Sequence, residues 1–247
     1  MYKKDSKRMP FIEHLKELRK RLIISVISLI VGMVLCYIFY QKIIIFLYKP
    51  FELLPDNSGK YVLYINSLLE GFLIRLQASF WGGIVLSIPV HLINIVGFIF
   101  PGLTDKEKKI LTLIFISSFI LTVLSISYGY FIIVPIVIKV LTTKSFVPDS
   151  VGILLSFKNN IFLIFQFVLA SLILFQTPLI AEFLMILKIV KRKTMIKFFR
   201  YIIVVIFILS AILTPPDVMS QILVAIPLVV LFMLAILIAT IFKFGED

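Results

Sequence analysis

The chain has 247 residues, 61% of them hydrophobic and 15% charged, with a mean hydropathy of +1.12. Soluble domains run about 45–50% apolar and about 25% charged, so this composition excludes a soluble globular protein and a disordered chain together. What remains is a multi-span membrane protein, read as one domain over residues 1–247, whose net charge of +12 has to be explained by where its 25 Lys+Arg and 13 Asp+Glu sit.

The first element is an amphipathic helix over Pro10-Phe11-Ile12-Glu13-His14-Leu15-Lys16-Glu17-Leu18-Arg19-Lys20-Arg21. Phe11, Leu15, Leu18 and Leu22 recur at helical spacing, and Pro10 suits a first turn, where its missing N–H would be unpaired anyway. A first span follows from Leu22 to Tyr40. Its apolar run is longer than that of a cleaved leader and no small-x-small site follows, so it reads as uncleaved. Residues 41–67 read as a long loop with a turn cluster at Asn57-Ser58-Gly59. A second span covers about 72–99, interrupted by Arg75, Pro89 and His91, with Glu70 and Arg75 expected to snorkel near the outer interface.

The loop after it contains Thr104-x-x-Glu107, a capping box that opens a third span over 110–134. A second loop is expected over 135–160. The fourth span, 161–187, carries a polar notch at Gln176-Thr177-Pro178, where the proline frees a backbone carbonyl that Thr177 can satisfy. Glu182, near the end of that span, is expected to reach water. A basic stretch leads to a fifth span, 201–214, too short to cross an ordinary bilayer untilted. Pro215 and Pro216 stop it in a hard turn, and Asp217 or Ser220 can cap a sixth span over 222–242. The chain is then expected to reverse below the outer surface, with local thinning of the bilayer or entry of water.

If the loops alternate sides, 18 of the 25 basic residues fall in 1–21, 101–109, 188–200 and 243–247. The positive-inside rule makes that side cytoplasmic, so both termini are inside, as an even number of spans requires. Most of the basic excess is then orientation in a lipid bilayer, and nucleic acid is not needed as a partner. The lone Cys36 excludes an internal disulfide or Cys-based zinc site, and His14 and His91 are too far apart in sequence to propose a metal. The chain has no H-E-x-x-H, G-x-S-x-G or C-x-x-C, and Leu103 stands where a P-loop needs lysine. No enzyme and no cofactor are expected, and any work draws on the transmembrane potential.

Several polar residues carry two readings. Glu13 and Glu17 fit i,i+4 pairs on an interfacial helix, but Glu17 also offers a carboxylate to a basic ligand. Glu107 fits the capping box, but it is also an acid at the membrane edge beside Phe98 and Phe100. Acids on a strongly basic face are where a cationic partner docks without repulsion, and arginine suits them because its planar fork bonds carboxylates bidentately. Gln176 fits either a kink with helix–helix hydrogen bonds or a polar point on a substrate path. His91, after Pro89, reads as a kink residue.

Four stretches carry a family resemblance. They are Pro10-Phe11-Ile12-Glu13-His14-Leu15-x-Glu17-Leu18-Arg19-x-Arg21-Leu22; Phe98-x-x-Pro101-x-Leu103-x-x-x-Glu107; Tyr130-Phe131 with Pro135 closing the third span; and Thr214-Pro215-Pro216-Asp217-Val218-x-Ser220-Gln221. Over nearly its whole length the chain resembles TatC, the multi-span receptor subunit of the twin-arginine protein translocase. The resemblance implies an all-α membrane protein of six transmembrane helices, both termini cytoplasmic and the last two helices short. It also implies recognition of signal peptides with two adjacent arginines on folded cargo, recruitment of small single-span TatA/TatB-type subunits, an oligomer, and transport driven by the proton-motive force. By matching position, Glu17 and Glu107 are implied to receive the arginine pair, with Glu13, Phe98 and Pro101 on the same surface. Pro215, Pro216, Asp217 and Gln221 are implied to be structural or gating residues.

Two positions depart from the family pattern. The fourth span has Phe175-Gln176-Thr177-Pro178 where a Phe-Glu-x-Pro context is usual, so the polar point at Gln176 can hydrogen-bond but not titrate. Phe100 stands before Pro101, where a small residue is more usual. The expected location is a bacterial inner membrane, with an organelle membrane as the alternative suggested by Ile/Lys/Phe-rich usage. The competing function is a small-solute secondary transporter. Such a protein needs ionisable pairs at its centre, and Gln176, Gln166 and Asn94 are all neutral.

Overall fold

A bilayer offers no water to backbone N–H and C=O groups, so long apolar runs must satisfy them internally as helices. The computed structural model describes residues 11–52, 61–100, 105–142, 153–187, 189–214 and 218–241. Among these lie α1 (Phe11–Ile38), α2 (Tyr40–Glu52), β1 (Tyr61–Tyr64), α3 (Leu68–Ile99), α4 (Asp105–Tyr128), α5 (Val134–Leu141), β2 (Ile153–Ser156), α6 (Phe157–Ile186), α7 (Arg192–Leu213) and α8 (Val218–Ile241). Six stretches among the described residues are long and apolar enough to cross a membrane: Ile12–Ile38, Leu68–Ile99, Lys108–Leu141, Phe157–Ile186, Arg192–Ile212 and Val218–Ile241.

Four expectations about these elements need correction. First, the amphipathic stretch and the first span are one 28-residue helix, α1. No Gly or Pro falls between Phe11 and Val31 to break it, and Leu, Lys, Arg and Glu are strong helix formers.

Second, the 41–67 region is not simply a loop. It holds α2, whose Ile43, Leu47 and Phe51 recur every four residues and pack into the core, and it holds β1.

Third, Pro135 does not close the third span. A π-helical turn at Gly129–Ile133 intervenes, with the Val134 N–H on the Gly129 carbonyl, and α5 continues to Leu141. Pro135 thus sits in the first turn of α5, where its missing N–H costs little.

Fourth, the fifth helix starts at Arg192, nine residues before its apolar part, and runs 22 residues. Met195, Phe199, Ile202 and Ile206 lie on one face and pack on the core, so the basic stretch is helical.

The bundle is organised around α6, 61% of whose most apolar stretch is buried, against 11% for α1 and α7. Ile164, Phe167, Ile133, Val134, Val137, Ala225 and Leu228 are fully shielded. α1 packs along α3, α4 against α6, and α8 against both α6 and α7. At the α1–α3 crossing the two backbones nearly touch. A Cβ on Gly32 would lie 2.9 Å from the Gly83 carbonyl oxygen, so side chains are excluded at both positions. β1 and β2 pair in parallel with Tyr64 opposite Ser156, which sets the starts of α3 and α6 side by side.

Glu70 and Glu182 were both expected near water, but each is 6% exposed. Glu70 accepts the Asn66 N–H at 2.5 Å, tying the residue before the N-cap back to the first turn of α3, and Glu182 faces inward because α6 is the central helix.

Candidate functional site

At the N-terminal end of α1, His14, Glu17 and Arg21 share a face by their i, i+3, i+7 spacing. Asn94, Gly97 and Phe98 do the same in the last turns of α3. The two faces meet. The His14 and Phe98 rings stack at 4.1 Å between centroids, tilted by 21°. Asn94 Nδ2 donates to the Arg21 carbonyl at 3.2 Å and to Ser25 Oγ at 2.8 Å. The Arg21 guanidinium lies over Gly97, in space that any side chain at 97 would fill.

Arg21 Nε and Nη2 both donate to Glu17 Oε1, at 3.0 and 2.6 Å. The expected intrahelical pair therefore forms, but it occupies one oxygen only. Glu17 Oε2 is shielded from solvent and accepts no hydrogen bond among the described residues. Glu17 is thus a half-buried carboxylate with one oxygen held by the Arg21 guanidinium and the other shielded and unpaired. An unmet charged acceptor costs more than a neutral one, so a donor placed there gains correspondingly.

The structure thus brings Glu17 and Phe98 together. Glu13 is exposed on α1, one turn before Glu17. Glu107 lies in the first turn of α4, which begins at Asp105; the expected capping box with Thr104 lies outside the described residues. The Glu107 side chain is outside the described residues, as are Thr104, Pro101, Pro215, Pro216 and Asp217. Gln221 Nε2 donates to the Phe207 carbonyl at 3.0 Å, tying α8 to α7. Sequence reasoning passed over His14 and Asn94 as members of this face. The signal was present in their spacing, His14 three residues before Glu17 and Asn94 four before Phe98.

The second polar region lies between α4 and α6. Ser118 Oγ donates to Gln176 Oε1 at 2.6 Å, and Gln176 Nε2 reaches Thr122 Oγ1 at 3.1 Å and the Ser118 carbonyl at 3.3 Å. Ser171 Oγ lies 3.1 Å from the Ser125 carbonyl. Thr177 Oγ1 donates at 2.7 Å to the Leu174 carbonyl, the one that Pro178 leaves free. Ser87 Oγ and His91 Nε2 are 2.9 Å apart beside Pro89. These groups form helix–helix and kink bonds, the structural reading of each.

Comparison with known proteins bears on what these helices belong to. Residues 13–227 match the family model described as Sec-independent protein translocase protein (TatC). The chain belongs to the TatC family. It is 36% identical to the TatC protein of Helicobacter pylori strain J99 over 227 residues, 92% of this chain and 87% of that one. It is 32% identical to the TatC-like protein ycf43 of Cyanidium caldarium, covering 97% of each. A crystal structure described as the twin-arginine translocase receptor TatC in DDM superposes with a TM-score of 0.79 at 29% identity, covering 95% of this chain and all of that one. TatC proteins are non-enzymatic, multi-pass membrane proteins of the Tat translocase, with relatives in both bacteria and an organelle.

Proposed function

We propose that this chain is the receptor and core subunit of a twin-arginine translocase, binding the arginine pair of signal peptides on folded cargo at a cytoplasmic face built on Glu17 and Glu107. The observation that carries this reading is the open Oε2 of Glu17, beside the His14–Phe98 stack and within a strongly basic end of the chain. One incoming guanidinium takes that oxygen, repeating across the interface the geometry Arg21 already makes within the helix. The other takes Glu107, in the first turn of α4, where the positive helix end suits a carboxylate. Phe98 and Pro101 line the same surface, and Glu13 adds negative potential at its edge. The apolar part of the signal lies along the α6 side of the bundle.

Both termini are cytoplasmic in this reading, as the 18 basic residues on that side require. Small single-span TatA/TatB-type subunits assemble with the chain as an oligomer. The proton-motive force drives passage, and Pro215, Pro216, Asp217 and Gln221 hold the outer reversal. Gln176 serves as packing glue and takes no part in proton transfer. The test is Glu107→Lys. Photocrosslinking of a twin-arginine signal peptide is lost while membrane insertion is unchanged; crosslinking at the wild-type level sinks the assignment.

A further inference from the structure

At the opposite end of the bundle from the His14–Phe98 stack, a polar pocket of about 300 Å³ lies between the starts of α3 and α6. Asn66, Ser67, Glu70, Leu73, Ser156, Lys158 and Asn159 line it. Two helices of 32 and 30 residues begin here side by side, because the parallel β1–β2 register places Tyr64 opposite Ser156, β2 runs straight into α6 and β1 reaches α3 through the short link Ile65-Asn66-Ser67. Neither Ser67 nor Ser156 caps its helix with its own side chain. Two positive helix ends therefore face one pocket that Lys158 also lines, a setting that favours a phosphate.

The same pocket holds an unmet negative charge. Glu70 is 6% exposed; Oε2 accepts the Asn66 N–H, while Oε1 is buried with no hydrogen-bond partner among the described residues. No ion pair joins Glu70 to Lys158 among those residues. A buried carboxylate oxygen without a donor is costly, and a ligand ammonium relieves it. Leu68, Leu69 and Phe72 in the first turns of α3 and Phe162 in the second turn of α6 are exposed, so the helix starts that frame the pocket carry apolar side chains on their outer faces.

We propose that this pocket binds the headgroup of a zwitterionic phospholipid with a primary amine, a phosphoethanolamine. The phosphate sits at the paired starts of α3 and α6 with Lys158, the ammonium donates to Glu70 Oε1, and the acyl chains run over these apolar outer faces. A trimethylammonium headgroup has the same charge but no N–H to donate, so Glu70 discriminates the two.

The test is native mass spectrometry of the full chain titrated with phosphatidylethanolamine and phosphatidylcholine of identical acyl chains, with free glycerophosphoethanolamine as a third probe. The wild type retains the ethanolamine lipid about tenfold more tightly. Glu70→Gln, which still accepts the Asn66 N–H, brings that ratio to about one. Lys158→Gln weakens both lipids and leaves the ratio in place. Lys158 lies on α6, outside the Glu70–Asn66 bond, so this variant carries the test if Glu70→Gln fails to fold. Equal retention of the two lipids by the wild type overturns the proposal, as does an unchanged ratio in Glu70→Gln or unchanged binding in Lys158→Gln. Free glycerophosphoethanolamine binding as tightly as the lipid overturns the lipid as the source, and a lysine peptide displacing the lipid at equal concentration overturns the ligand class.

Discussion

The Glu17 face and the Gln176 layer both place polar groups among apolar helices, and they differ in what is left over. Around Gln176 the amide oxygen and nitrogen both find partners on α4, and the nearby Thr177 repairs the carbonyl that Pro178 frees. At Glu17 one oxygen is doubly bonded by Arg21 and the other is open. A polar cluster closed on itself fixes how two helices pack. A cluster with an unmet charged acceptor leaves one interaction for a group outside the chain to make, which is the role proposed for Glu17.

This contrast can be broken by substitution, and the largest effect belongs to the open face. Glu107→Lys replaces an attracting charge with a repelling one and lowers twin-arginine peptide affinity by about a hundredfold or more, read by fluorescence anisotropy in detergent. Next is Gly83→Leu, which forces apart the close backbone approach of α1 and α3 at Gly32 and Gly83. It costs about 3 kcal/mol and lowers the detergent melting temperature, and because it separates His14 from Phe98 it weakens peptide binding as well. Glu17→Gln removes one charge at constant shape and costs about tenfold in peptide affinity with little change in melting temperature. Gln176→Leu is the smallest, about 1 kcal/mol in thermal stability with peptide binding unchanged. If Gln176→Leu abolished binding while Glu17→Gln did not, the two regions would have to exchange roles.

Much of the fold was legible because bilayer physics makes length and apolarity decisive: six spans are expected, and the described residues hold six helical stretches long and apolar enough to cross a membrane. What stayed hidden had local causes. The Ile43–Leu47 apolar run is too short for a span, and only its partners in the core show that α2 is a helix of its own. β1 and β2 are four residues each and far apart in sequence, so their pairing depends on the bundle that brings them together. Pro135 looked like a stop because the π-turn that accommodates it leaves no compositional mark. The basic start of α7 looked like a loop because charge outweighed its 3.6-residue apolar spacing. The acids of the site were visible as exceptions on a basic face. The stacking of His14 on Phe98 and the tie from Asn94 to Arg21 depend on the α1–α3 crossing, which one-dimensional spacing does not contain.

The most direct measurement of the central claim is the affinity of matched signal peptides carrying Arg-Arg or Lys-Lys, for the wild type and for Glu17→Gln. If the open oxygen receives a guanidinium, the wild type prefers Arg-Arg by about tenfold and Glu17→Gln reduces that preference to about twofold or less. An Arg-Arg preference that is the same in both proteins would contradict it.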